Sequence, residues 1–309
     1  VKALVTGAAG FVGRHVTAAL AKQGWAVDAI DLPSHSQRPL PGVQRHYRGV
    51  GSLVDSGYFT AVHYDLAVHC AAFIGGRMTM EISPLEVLSR NLSIDGALFR
   101  WVARAQPERL IYISSSAVYP TSMQEAQWGM RLHEDFAPVY NPVAHIGPDI
   151  SYGFEKMVGE RLAEEYRAAG GRVTVVRPFS GYGEDQSLDY PFPSIIERVK
   201  STPPNTGPIE VWSDATRDFI HIDDFVHSML LMAEMEVDGP VNICTGRGVS
   251  MTELARMAYY AYWGADPEVK VLDGKPKGVA YRVGDDALYR TIYTPRIELE
   301  EGVHRALRA

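Results

Sequence analysis

Tyr152 and Lys156, in the stretch Ser151-Tyr152-Gly153-Phe154-Glu155-Lys156, stand four residues apart, and the run Ile113-Ser114-Ser115-Ser116-Ala117-Val118-Tyr119-Pro120 lies upstream of them. A phenol has a pKa of roughly 10 and is a poor base near neutral pH. A fixed ammonium one helical turn away favours the phenolate and lowers that value. A Tyr, a Lys and a serine hydroxyl together can take the proton from an alcohol while its carbon gives up a hydride.

That chemistry needs a hydride acceptor, and the first residues predict where it binds. A short apolar strand (Ala3, Leu4, Val5) runs into Thr6-Gly7-Ala8-Ala9-Gly10-Phe11-Val12-Gly13. Val12, Val16, Ala19 and Leu20 then fall within about 100° of one another at about 100° per residue, so a helix begins inside the glycine run. The free N–H groups and positive dipole end of such a helix hold a pyrophosphate. Gly7, Gly10 and Gly13 allow the tight turn, the close approach of phosphate and the packing of helix on strand. A second strand, Ala26 to Ile30, ends at Asp31, whose carboxylate can accept both hydroxyls of an adenosine ribose and would repel a 2′-phosphate. Leu32-Pro33-Ser34 offers no adjacent Arg, so NAD is expected rather than NADP. A lone glycine triplet is weak, whereas strand, glycines, helix, strand and acid in that order are specific.

Strand-like runs at Leu66 to Cys70, Leu110 to Ser114, Val173 to Val176 and Val241 to Ile243 alternate with helical stretches. Alternation of this kind predicts an α/β fold, a Rossmann-type doubly wound parallel sheet with helices on both faces. From Leu85 to Arg104, the residues Leu88, Leu92, Phe99 and Val102 form one apolar stripe. On the helix expected from Tyr152 to Ala168, the residues Tyr152, Lys156, Gly159 and Ala163 share a face; its small residues predict close approach of another element, such as the same helix of a second subunit in a homodimer. After Arg177 the chain becomes rich in proline and turns, at Tyr190-Pro191-Phe192-Pro193 and Thr202-Pro203-Pro204-Asn205. The expected organisation is an NAD-binding domain over residues 1–177 and about 218–263, with a smaller C-terminal substrate-binding lobe over about 178–217 and 264–309.

A chain of 309 residues with 46% apolar residues can bury a large core. Its formal charge of -7 argues against a nucleic-acid surface. Cys70 and Cys244, the two cysteines, have no metal-ligand spacing and read as inert thiols. No apolar run is of membrane-spanning length and no signal-peptide pattern precedes the first strand, so a cytoplasmic protein without metal, membrane or nucleic-acid partners is expected.

These motifs, with His69-Cys70-Ala71-Ala72, Arg177-Pro178-Phe179, Arg217-Asp218-Phe219 and Asn242, resemble over nearly the whole chain the extended short-chain dehydrogenases that act on nucleotide sugars. The branch most similar is that of the GDP-mannose 3,5-epimerases, through Gly75-Gly76, Val211-Trp212 and Pro240 to Ile243. The resemblance implies that Ser115 holds the sugar hydroxyl beside Tyr152 and that Lys156 binds the nicotinamide ribose. It implies cofactor contacts for Phe11, Val12, Leu32, Ala71, Ala72, Asn91 and Pro178, and contacts with a nucleotide-diphosphate sugar for Gly75, Gly76, Ser116 and Ser180. Arg217 matches the arginine that pairs with the diphosphate, and Arg282 is a second candidate. Ser180 stands where an Asn is usual, and Arg48 to Ser52 lacks the Asp that commonly holds adenine.

Departures from the family pattern bear on the reaction. The 4,6-dehydratases carry Asp and Glu where this chain has Ser116 and Ala117, and the 3,5-epimerases carry a Cys at Ala117 and a Lys near Tyr190 to Pro193. What remains predicts C4 epimerisation through a transient 4-keto sugar. A dehydratase or a 3,5- or 5-epimerase stays open if His133, His145, Glu184, Asp185 or Asp189 supplies the acid and base; so does a non-catalytic NAD-binding regulator.

Overall fold

Strand β1 (Lys2–Thr6) sends Ala3 and Val5 into one apolar layer and Leu4 into another, as a strand covered on both faces must. In the computed structural model, residues 1–35, 40, 42–47, 49–75, 82–137, 150–275 and 278–309 are described. The further strands are β2 (Ala26–Asp31), β3 (Gln44–Tyr47), β4 (Leu66–His69), β5 (Leu110–Ile113), β6 (Arg131–Leu132), β7 (Val173–Pro178) and β8 (Ser180–Tyr182). They continue as β9 (Ile209–Val211), β10 (Thr216–His221), β11 (Pro240–Ile243), β12 (Gly248–Ser250), β13 (Val269–Val271) and β14 (Tyr281–Gly284).

Seven of these form a parallel sheet in the order β11-β7-β5-β4-β1-β2-β3. This is the doubly wound Rossmann arrangement that the alternation of strands and helices predicts. One face packs on helices Phe11–Lys22 and Ile222–Glu234, through Val16, Leu20, Phe225 and Met229. The other packs on helices Pro84–Ala105 and Ile150–Ala168, through Leu98, Trp101, Val102 and Ala163. The chain leaves β1 toward β2 and β3, then returns to the opposite side of β1 for β4. The crevice at that reversal, beyond the carboxyl ends of β1 and β4, is where open α/β sheets bind ligands.

A third apolar cluster gathers Phe192, Ile195, Ile209, Val211, Phe219, Leu254, Tyr259, Leu299 and Val303. Beside it β12, β10, β14 and β6 are neighbours in a mixed sheet, and β8 pairs with the carboxyl half of β10, at Phe219 to His221. The apolar face of helix Met251–Trp263 joins this cluster, and its Gly264 C-cap is left-handed (φ 68°). Tyr190 to Pro193, which the sequence presents as turns, instead begins helix Pro191–Ser201. Proline is well placed in a first helical turn, where its missing N–H would have had no partner. Among the described residues no helix is long and apolar enough to cross a membrane.

The small face of helix Ile150–Ala168 is filled from within the chain. A Cβ on Gly159 would overlap the Tyr112 hydroxyl and lie 2.6 Å from Asp95 Oδ2, and Ala163 is buried in the sheet-facing core. Gly159 therefore makes room for Tyr112 and Asp95, and Ala163 packs in the same core, so the close approach that this face predicts is made within the chain.

Candidate functional site

The glycine loop closes the site at the amino end of the sheet's first helix. Gly7 has φ +64°, and a Cβ there would lie 2.6 Å from the backbone of Ala71; one on Gly13 would overlap the Gly7 carbonyl oxygen. Gly10 caps helix Phe11–Lys22, whose first turn holds no acidic residue and receives no side-chain cap. Its N–H groups face the crevice as an anion cradle must. Asp31, at the end of β2, is buried; its Oδ2 accepts from Ala9 N at 2.6 Å and its Oδ1 from Leu32 N at 2.7 Å, with His35 Nδ1 2.5 Å away. Phe11 lies near Gly183, where an added Cβ would come within 3.2 Å of its ring. This cradle of backbone N–H groups, with the Asp31 carboxylate at the end of β2, fits NAD.

A Gly13→Ala exchange follows directly from this close approach. The crowding atoms belong to the backbone of Gly7 and Ala8, so no side chain can yield. The variant is expected to lose about tenfold or more in NAD affinity, roughly 1.4 kcal/mol per factor of ten, as read from nucleotide released on denaturation; full retention of NAD would contradict the cradle.

On the other side of the crevice, the Asn91 side chain accepts from Phe73 N at 2.6 Å and donates to Phe73 O at 3.0 Å, so it shapes the segment Ala71 to Phe73. Gly75 follows that segment, whereas Gly76 and His145 lie outside the described residues. Cys70 is half-buried and Cys244 buried, both unpaired, and burial pushes both thiols up, which keeps them protonated.

The alcohol-oxidising set assembles at the ends of β5 and of helix Ile150–Ala168. Ser115 caps the 3-10 turn Ser116–Val118, accepting from Ala117 N at 3.1 Å, and its hydroxyl lies close enough to the Tyr152 phenol to pull it down. Lys156 Nζ sits 5.8 Å from the centre of the Tyr152 ring and 5.1 Å from that of Tyr112. In the protein without ligand the Tyr152 phenol is raised, because burial outweighs Lys156 and Ser115, which both pull it down. The ammonium acts in the expected direction without prevailing, since a phenolate in a dry site costs solvation. Ser116 and Ala117 are buried and offer neither acid nor base.

Arg217 and Arg282 are register partners on the parallel pair β10 and β14, hence on one face. Arg217 donates to Thr216 O at 2.8 Å and Arg282 Nε to Gln124 Oε1 at 2.6 Å. Two guanidinium groups so placed suit an anionic diphosphate. Pro178 ends β7 and Ser180 opens β8, beside Arg217's strand.

The other candidate acids and bases have structural employment. His133 is exposed and caps the turn Glu134–Phe136. Asp185 is held by Arg14 Nε at 2.7 Å and His15 Nε2 at 3.0 Å, Glu184 lies 3.3 Å from His221 Nε2, and Asp189 accepts from Ser187 Oγ at 2.9 Å. Sequence reasoning missed a group directly behind Lys156: Glu155, Asp95, His69 and Tyr112, all buried. The signal was present, since Asp95 falls in the middle of the apolar stripe of Leu88, Leu92, Phe99 and Val102.

Residues 3–244 match the profile of the NAD dependent epimerase/dehydratase family. The chain belongs to that family. It is an NAD-dependent enzyme of the kind the resemblance implied. It is 28% identical over 296 residues to a dTDP-4-dehydro-6-deoxy-D-allose reductase of Streptomyces bikiniensis, covering 91% of this chain and 87% of the relative. It is 25% identical to a GDP-mannose 3,5-epimerase of Arabidopsis thaliana, covering 98% and 80%. Its fold is also that of a UDP-glucose 4-epimerase from Thermus thermophilus solved with NAD, at a TM-score of 0.83, 22% identity and 100% and 98% coverage.

Proposed function

We propose that this family member is a nucleotide-sugar 4-epimerase. The observation that carries the reading is the Ser115, Tyr152 and Lys156 set beside two buried neighbours, Ser116 and Ala117, that supply no acid or base. Arg217 and Arg282 bind the diphosphate, and Gly75 and Ser180 line the sugar's path. The glycine loop and Asp31 hold the cofactor, and Lys156 orients its ribose. NAD, when bound, accepts hydride from the sugar C4 and returns it.

Tyr152 as phenolate takes the proton of the 4-hydroxyl, which Ser115 holds in place by hydrogen bonding. Lys156 stabilises that phenolate by its charge. The sugar, now a 4-ketone, turns over in the pocket while the two arginines keep its diphosphate anchored, and Tyr152 gives the proton back to the new 4-oxygen. No proton at C3 or C5 is touched in this cycle.

Assay against a panel of nucleotide sugars in deuterated water is expected to yield a product inverted at C4, with no deuterium at C3 or C5 by NMR. Deuterium at either carbon, or loss of water from the sugar, would replace this reading by a 3,5- or 5-epimerase or a dehydratase. A homodimer and a cytoplasmic setting belong to the same proposal; the two unpaired cysteines agree with the second.

A further inference from the structure

Behind Lys156 lies a carboxyl group that the proposed reaction leaves unused. Glu155 is fully buried, neither of its carboxyl oxygens has a hydrogen-bond partner, and Lys156 Nζ is 3.5 Å from Oε1. Its other neighbour is Asp95, from helix Pro84–Ala105. Asp95 is already supplied with donors. The Tyr112 hydroxyl donates to its Oδ2 and His69 Nε2 lies 3.2 Å from its Oδ1. The His69 tautomer follows from Asp95: an ionised carboxylate only accepts, so the ring proton of neutral His69 sits on Nε2, facing Asp95. Nδ1, 2.8 Å from Thr6 Oγ1, then accepts from the Thr6 hydroxyl, which itself accepts from Ala71 N at 3.3 Å.

Two carboxylates side by side in a dry site cannot both ionise. Asp95, with its donors and with Lys156 nearby, is the one held ionised, well below the usual carboxylate range despite burial. Burial drives Glu155 the other way, up to about 8, with Lys156 opposing and Asp95 reinforcing. A proton on Glu155 gives its orphaned oxygen a partner in Asp95.

We propose that Glu155 and Asp95 form a proton-sharing carboxyl pair behind Lys156, acting as positioning residues that decide how much of the ammonium's charge reaches Tyr152. With Glu155 neutral, Lys156 serves the phenolate. With Glu155 ionised, the ammonium is drawn back and its charge offset, the Tyr152 pKa rises, and less of Tyr152 is present as the phenolate that accepts the proton. The groups facing the pair are Lys156 and Tyr152 on its own helix, His69 from β4 and Tyr112 from β5. His69 is held neutral by burial, against the pull of Asp95. Because the folded protein raises the Glu155 pKa, the associated stability is complete below the ordinary glutamate range and is lost as pH rises through about 8.

The proposal rests on Tyr152 as the base, so its test has one readout that needs no turnover. In protein labelled with 13C at glutamate carboxyls, one resonance, identified by its loss in Glu155→Gln, is expected to titrate more than one pH unit above the other glutamates. In Asp95→Asn it is expected to move down. Titration of Glu155 in the ordinary range, or no response to Asp95→Asn, overturns the pair. In turnover, wild-type kcat/KM is expected to fall on the alkaline side near the Glu155 inflection, and Glu155→Gln to hold its activity about a pH unit further. An unchanged profile in Glu155→Gln reduces the pair to packing. Absence of any sugar turnover with the titration intact would instead count against the 4-epimerase reading alone.

Discussion

Tyr152→Phe is expected to lower kcat by about 10²–10⁴-fold, the range over which a positioned proton-transfer group contributes, while NAD content stays at the wild-type level. The argument is local. The phenol oxygen is the atom on which the Ser115 hydroxyl and the Lys156 charge both act. Removing it leaves the ring, and hence the packing of helix Ile150–Ala168, in place. Ser115 and Lys156 then remain with no group to carry the proton. Stopped-flow absorbance of reduced nicotinamide after mixing with a substrate sugar measures the oxidation half directly. A variant retaining wild-type kcat would remove Tyr152 from the chemistry and leave the assembled set without a function.

The largest expected effect on stability is that of Glu160→Ala, about 3–5 kcal/mol of destabilisation, as when one partner of a buried ion pair is removed. Arg177 is 1% exposed and Glu160 is 3% exposed. Arg177 donates to Glu160 from Nε at 2.8 Å and from Nη2 at 2.6 Å, and the Ser114 hydroxyl donates to the same carboxylate. Without Glu160 the guanidinium keeps the Glu134 carbonyl at 2.7 Å and the Tyr119 hydroxyl at 3.3 Å, neither of which carries an opposite charge. The loss should appear as a lower urea midpoint at an unchanged slope. It should also reach the chemistry, since Ser114 precedes Ser115 and loses its anchor. A change below about 1 kcal/mol would mean that water enters and solvates Arg177.

Much of the site was legible because its residues sit at fixed offsets from elements with strong periodic signals. The glycine loop follows an apolar strand and precedes a helix, Asp31 ends the next strand, and Tyr152 with Lys156 obeys helical spacing. Helix Pro191–Ser201 was hidden because prolines in its first turn resemble turn chemistry when read without the Ile195, Ile196 and Val199 that follow into the core. Glu155 and Asp95 were hidden for another reason. They are 60 residues apart in sequence, on different helices; the apolar stripe marks Asp95 as buried, but no local pattern brings Glu155 to it.

The sequence by itself determined the alternation of strands and helices in the parallel sheet, the place of the glycine loop and the helical spacing of Tyr152 and Lys156, because backbone periodicity and residue chemistry are local properties. Tertiary structure decided what those groups experience. Burial raises the Tyr152 phenol against the pull of Lys156, and Gly159 admits Tyr112 and Asp95 to the small face of its helix. Two distant acids meet behind the catalytic ammonium. Solvation and charge coupling depend on distances across the fold, which no spacing along the chain encodes.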